Sequence, residues 1–385
     1  MQARPYTICL STSSYPPEVG GVGVASQRLA NYLAAAGYGV YVVTPVEVDG
    51  ATGEIQHVRE GAVEVHRIFC DWRDPKTPFL YRQLVRQLDA ALNFDLFHGF
   101  FLSALYPCIA AASHAGRKRP IIASIRGSDV ANLLDNPLMR RTILAGLRQA
   151  TWITSVNHLY LERVGREMET AGRSSVIRNG IRLPDTQQAP WRLHDANRGG
   201  VGTVGQFRKV KDIPLLVRAY HLVAPQLRKR LLLAGFFDEQ DPSEAQWSRF
   251  LIDEFGMADQ ATVTGAFPHD AVFAHLRSMH VYVQASAYEG LPNAVLEAAS
   301  LGVPLVTTAV GGMAEILEDG KSALLVPHGD PAQMGVAIAR ILSDDALAMH
   351  LSQGARAMAA SLSEDAEREQ WLGLYARLLA QAPDA

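Results

Sequence analysis

Short apolar runs alternate along this chain with longer segments whose leucines and alanines recur at helical spacing. Residues 6–11 read as a strand, 22–36 as a helix burying Leu29 and Leu33, and 39–44 as a second strand. Residues 45–75 are polar and irregular, with a hairpin expected at 61–69, and 76–92 form a helix carrying Arg82 and Arg86 on one face. Strands follow at 94–98, 121–126 and 151–156, and 176–181 close the first half. Turn formers and weak periodicity between 184 and 199 mark a linker. The pattern restarts with strands at 201–205, 231–235, 262–265, 281–285, 303–307 and 323–326, and ends in helices reaching about residue 379. Strands alternating with helices predict an α/β fold with parallel sheets, in two halves that share one βα architecture.

The most informative stretch is 281–317, VYVQASAYEGLPNAVLEAASLGVPLVTTAVGGMAEIL. A strand breaks at Tyr288-Glu289-Gly290-Leu291, and a helix is expected from Pro292 to about Leu301, Pro being favoured at a first helical position. In an α/β unit the loop after a strand lies at the carboxyl edge of the sheet, where open sheets bind ligands. Glu289 falls in that loop. Glu297 lies five residues beyond Pro292, or about 7.5 Å along the helix at ~1.5 Å per residue. Two carboxylates so placed can each accept hydrogen bonds from vicinal hydroxyls, as on the ribose and the hexose of a sugar nucleotide.

Glu289, seven intervening residues and Glu297, within EGLPNAVLEAASLGVPLV and followed by Gly311-Gly312 and Glu315, resemble the donor-site signature of glycosyltransferase family 4. The resemblance covers almost the whole chain. It implies the GT-B arrangement, two Rossmann-like domains facing across a cleft, and a retaining transfer from a nucleotide-diphosphate sugar. The domains would be 1–185 for the acceptor and 201–362 for the donor, joined by a linker at 186–200, with the helix from 363 to 385 returning to the first. Glu297 would hold the ribose diol and Glu289 the hexose, with Gly290, Leu291, Pro292 and Asn293 lining the donor.

A cationic loop, Gln206 to Asp212, follows the strand at 201–205, which suits a diphosphate. Lys211 matches the family lysine. The usual family arginine is Gln206 here, so Arg208 is expected to supply the second positive charge. Gly20 and Gly21 sit in a glycine-rich turn before a helix, where backbone N–H groups face an anion, and the resemblance brings a turn of this kind to the donor diphosphate and the acceptor. An NAD reading of the turn lacks its third glycine, replaced by Ser26, and the acid expected after the second strand, where Thr44-Pro45 stand. Arg126 replaces the family histidine before Gly127 and Asp129, and a permanent cation there suits a phosphate or an acidic acceptor. Asp129 keeps its family match, or caps a helix.

Composition narrows the setting. Apolar content of 48% and charged content of 19% fit a globular protein of 385 residues. Residues 1–185 hold 20 basic and 16 acidic side chains, so the front half is mildly basic although the net charge is −3. Cys9, Cys70 and Cys108 leave an odd thiol and no metal spacing, which favours a reducing, cytoplasmic home. No Asp-x-Asp pair or metal-ligand cluster appears, so no metal or other cofactor is expected and catalysis should survive a chelator. The expected partners are a nucleotide sugar, UDP-linked by preference, and a glycan or lipid-linked saccharide acceptor, not nucleic acid. The basic helix at 76–92 raises a peripheral contact with the inner face of a membrane. A sugar-nucleotide epimerase and a non-catalytic nucleotide-sugar binding protein remain as alternatives.

Overall fold

The computed structural model describes residues 4–18, 20–113, 118–131, 134–183, 191, 199–239 and 241–381. The chain forms two compact units, Met1–Asn179 with Asp365–Ala385, and Gly180–Glu364. Except for 191, 199 and 200, the expected linker lies outside the described residues.

The first unit holds β1 (Thr7–Thr12), β2 (Gly39–Glu47), β3 (Thr52–Glu60), β4 (Val63–Cys70), β5 (Leu96–Phe100), β6 (Ile121–Ile125), β7 (Trp152–Ser155) and β8 (Ser174–Val176). They form one sheet in the order β3-β4-β2-β1-β5-β6-β7-β8. Every pair is parallel except β3 with β4. The irregular segment expected at 45–75 is therefore mostly strand. Its polar sequence hid this because β3 is an exposed edge strand, and only the partner β4 buries Val63, Val65 and Ile68.

The central strand β1 buries Ile8 and Leu10 against Leu29, Leu33, Val40, Leu96 and Phe100. The helix Glu364–Ala380 adds Trp371, Tyr375 and Leu378 to the same core. Arg28 Nε donates to Glu367 Oε2 at 2.6 Å, tying this helix to Gly21–Ala35. His98 lies between the Tyr375 and Ser124 hydroxyls, 2.6 Å from each. Burial holds its pKa well below the ordinary histidine value, so the ring is neutral, and a neutral imidazole matched by two hydroxyls is fully satisfied. The three cysteines are buried and unbridged.

The second unit holds β9 (Gly200–Phe207), β10 (Arg230–Phe237), β11 (Ala261–Val263), β12 (Met279–Gln284), β13 (Leu305–Thr308) and β14 (Leu324–Val326). Their order is β11-β10-β9-β12-β13-β14, and every pairing is parallel. Such strands are covered on both faces, which is why they read as continuous apolar runs. Numbered within the unit the order is 3-2-1-4-5-6. The direction of winding thus reverses between β9 and β12, and the crevice beyond the carboxyl ends of those two strands is the binding position of this topology.

Candidate active site

Lys211 and Glu289 lie on the two loops that flank the reversal in the second unit. Lys211 closes a short turn, Lys209–Lys211, just after β9, and Glu289 follows β12. The Ala287 N–H donates to the Val210 carbonyl at 2.9 Å and fastens one loop to the other. Lys211 Nζ reaches Glu289 Oε1 at 2.6 Å, with 21% and 14% of the two side chains exposed. An ion pair at that partial exposure is shielded from water yet within reach of a ligand. The same Oε1 accepts from Ser286 Oγ at 2.7 Å and Gln284 Nε2 at 3.0 Å.

Glu297 is the fifth residue of the helix Asn293–Ser300 and is buried. This helix starts one residue later than the sequence predicts, because Pro292 keeps an extended backbone and serves as its cap. Burial raises the Tyr282 pKa above the ordinary phenol value, and both Glu289 and Glu297 push it in the same direction. Gly290, Leu291 and Pro292 are buried and Asn293 is half-buried.

Gly311 and Gly312 shape this loop by contact. A Cβ on Gly311, whose φ is +53°, would fall 1.7 Å from the Glu289 carbonyl oxygen, and one on Gly312 would fall 2.1 Å from that of Gly290. The Gly312 N–H donates to the Gly290 carbonyl at 2.9 Å. That hydrogen bond commits the Gly312 N–H to the loop.

Arg208 is exposed at the start of the turn, and its carbonyl accepts the Lys211 N–H at 2.7 Å. Asp212 adopts a left-handed φ of +46°, caps the helix Ile213–Leu222 through the Leu215 N–H, and meets His328 Nε2 at 2.9 Å. Glu244 accepts the Ile213 N–H at 2.7 Å. Burial pushes its pKa up to about 7, opposed by that hydrogen bond and reinforced by Asp212 and Asp241.

The remaining candidates belong to the first unit. Gly20 caps the helix Gly21–Ala35 with an extended backbone, and a Cβ there would meet nothing within 4 Å. The fold itself does not demand glycine at this position. Arg67 donates to the Pro16 carbonyl of the same turn and pairs with Glu60 at 2.7 Å.

Arg126 follows β6 and is buried, with its guanidinium 4.3 Å from the Phe100 ring centre and donating to Asn179 Oδ1. Burial lowers its pKa to about 10, so it stays charged at neutral pH. Asp129 is fully buried and accepts four backbone N–H groups, those of Leu102, Arg126, Gly127 and Val130, at 2.8–3.3 Å. Burial raises its pKa against the pull of those bonds. Its carboxylate is thus occupied by the loop it organises. The turn after β5 adds Leu102, next to Phe101, whose φ of +122° is strained for a residue with a side chain.

Among the described residues, no group of three or more His, Cys, Asp or Glu side chains is placed to hold a metal ion. Nor is any described helix long and apolar enough to cross a membrane.

Residues 19–184 match the family described as Glycosyltransferase Family 4, and residues 198–344 match Glycosyl transferases group 1. The chain belongs to these glycosyltransferases. N-acetyl-alpha-D-glucosaminyl L-malate synthase of Bacillus anthracis is 22% identical to it over 351 residues, covering 88% of this chain and 89% of that protein. D-inositol 3-phosphate glycosyltransferase of Acidothermus cellulolyticus is 32% identical over 183 residues, 46% of this chain and 41% of that relative. In structure the glycosyltransferase resembles sucrose-phosphate synthase of Thermosynechococcus elongatus, with a TM-score of 0.82 and 22% identity, over 98% of this chain and 100% of the other. It also resembles Anabaena HepE in complex with UDP-glucose, with a TM-score of 0.74 and 18% identity, over 97% and 99%. The fold is GT-B.

The structure of this glycosyltransferase brings Lys211 and Glu289 into direct contact. It places Arg208, Gly290, Leu291, Pro292, Asn293 and Glu297 on the same or adjoining loops and helix of the second unit. Gly20, Gly21, Arg126 and Asp129 stand on the first. The sequence reading missed Gln284, Ser286 and Tyr282. Their spacing of two along β12 and its extension was a usable signal, since alternate strand residues share a face.

Proposed function

We propose that this glycosyltransferase moves a hexosyl or N-acetylhexosaminyl group from a UDP-sugar to a saccharide acceptor, glycan or lipid-linked, with retention of anomeric configuration and without a divalent metal. The contact between Lys211 and Glu289 beside the β9/β12 reversal carries this reading, because it joins a cation suited to diphosphate with a carboxylate suited to sugar hydroxyls at the binding position of the sheet.

Glu297 holds the ribose diol and Glu289 orients the hexose. As the bond from the anomeric carbon to the diphosphate oxygen breaks, negative charge gathers on the leaving group and positive charge on the sugar. Lys211 and Arg208 stabilise the first and Glu289 the second. The acceptor oxygen bonds to the anomeric carbon on the face that the diphosphate leaves, and its proton passes to the departing phosphate oxygen. The backbone at Gly20 and Gly21 approaches the diphosphate or the acceptor, and Asp129 holds the loop that carries Arg126.

The solved complexes of Anabaena HepE with UDP and UDP-glucose support the choice of base. The relatives' names, one for L-malate and one for D-inositol 3-phosphate, together with the buried charge of Arg126, favour an acceptor bearing a carboxylate or phosphate. Work at the inner face of a membrane fits the helix Thr77–Leu92, where exposed Phe79 lies beside Arg82.

The test is product analysis with UDP-glucose, UDP-N-acetylglucosamine and neutral and acidic acceptors in the presence of a chelator. An α-linked product from one of these α-configured donors is expected. A β-linked product, strict dependence on an added metal, or an altered free nucleotide sugar formed without acceptor would each overturn part of the reading.

A further inference from the structure

Three donors converge on one oxygen of Glu289. Lys211 Nζ, Ser286 Oγ and Gln284 Nε2 all reach Oε1, at 2.6, 2.7 and 3.0 Å. Two of these belong to a buried chain. Tyr282 Oη donates to Gln284 Oε1 at 2.5 Å, and Gln284 Nε2 donates at 2.5 Å to Ser286 Oγ as well as to Glu289. The Ser286 hydroxyl uses its own proton on Glu289. Tyr282, Gln284 and Ser286 are all almost fully buried, and Thr308 Oγ1 fixes the Ser286 backbone by donating to its carbonyl at 2.6 Å. This arrangement is costly to bury unless every group is paired, and the pairing runs one way, from the phenol towards the carboxylate.

Lys211 differs from the other two. Its long side chain is partly exposed, and the proposed chemistry asks it to face a diphosphate, which competes with Glu289 for the same ammonium. We infer that Gln284 and Ser286 are positioning residues that keep Glu289 Oε1 anchored while Lys211 turns from the carboxylate to the diphosphate, leaving Oε2 directed at the transferred sugar. Without them, departure of Lys211 would release Glu289 to rotate, and the enzyme would still bind nucleotide while losing its hold on the hexose. This inference rests on the reading that Glu289 addresses the donor sugar.

The experiment measures the affinity of the full chain for UDP and for the UDP-sugar it uses, with kcat and KM, for Ser286→Ala, Gln284→Met, Glu289→Gln and the double variant Ser286→Ala/Glu289→Gln. Hydrogen bonds to a charged group set the scale, so each single variant at 284 or 286 should lower kcat/KM about tenfold to a hundredfold. UDP affinity should stay within about twofold, so that the preference for the UDP-sugar over UDP collapses. In the Glu289→Gln background, Ser286→Ala should cost little more, since neighbours acting through one group are not additive.

A merely structural role would lower melting temperature and active fraction without moving the ratio of the two affinities. Unchanged preference in folded Ser286→Ala and Gln284→Met, or full additivity in the double variant, would overturn the inference. A Glu289→Gln enzyme of normal activity and sugar preference would instead overturn the reading beneath it.

Discussion

Lys211 Nζ and Glu289 Oε1 are 2.6 Å apart, although 78 positions separate them in the chain. The contact arises because β9 and β12 are neighbours in the sheet, and a loop after each strand is joined to the other by the bond from Ala287 to Val210. The two glutamates of the motif should then be separable by ligand. Glu297→Gln is expected to weaken UDP binding about tenfold or more, whereas Glu289→Gln leaves UDP binding nearly intact and lowers transfer by about a hundredfold. Calorimetric titration with UDP beside steady-state rates checks both halves, and equal loss of UDP affinity in the two variants would remove the assignment of rings to carboxylates.

Gly311 is expected to be intolerant of any side chain. Its φ of +53° disfavours one, and the added Cβ would strike the Glu289 carbonyl, so Gly311→Ala must displace the loop that carries the carboxylate. Activity should fall at least about tenfold. Stability should drop by on the order of 1–3 kcal/mol, measured by urea denaturation.

Asp129 is expected to matter first for folding. Asp129→Ala leaves several buried N–H groups without an acceptor, which costs about 3 kcal/mol or more. Asp129→Asn, which keeps one acceptor oxygen, should lose less. Denaturant midpoints of the two variants give the comparison, and an Asp129→Ala protein as stable as the parent would show that the loop does not depend on this carboxylate.

Much of this was readable before any coordinates. The order of most strands and helices and the restart near residue 200 follow from apolar periodicity and local turn chemistry, which act over short distances, whereas the weight of Glu289 and Glu297 comes from the resemblance to the family signature. What escaped was set by neighbours far away in the chain. The polar sequence of β3 hid a strand because edge position, not hydrophobicity, sustains it. Asp129 matched a functional motif, and only the fold brings Leu102 onto its carboxylate. Gln284 and Ser286 look like ordinary strand-end polar residues until the loop returns Glu289 to them. Arg126 stood out by its departure from the family histidine, but its stacking on Phe100 required β5 and β6 to be adjacent.

Glu244 gives the second unit a dependence on pH. Its folded pKa of about 7 lies above the ordinary glutamate value, so the fold prefers the protonated acid. The associated stability is complete below about pH 4.5 and is lost as pH rises through about 7. Glu244→Gln keeps an acceptor for the Ile213 N–H and carries no charge to bury. It should therefore be more stable than the parent at about pH 8, by on the order of 1–3 kcal/mol, with the difference shrinking towards pH 5. Chemical denaturation at the two pH values checks the sign, and a variant less stable at high pH would reverse it.

The central claim is that Lys211 gives up Glu289 for a diphosphate. It is tested most directly by calorimetric titration of UDP into the parent and Lys211→Ala proteins. The account predicts that UDP affinity falls at least about tenfold in the variant, from loss of a charge-assisted contact to the diphosphate. Equal UDP affinity in the two proteins would contradict it.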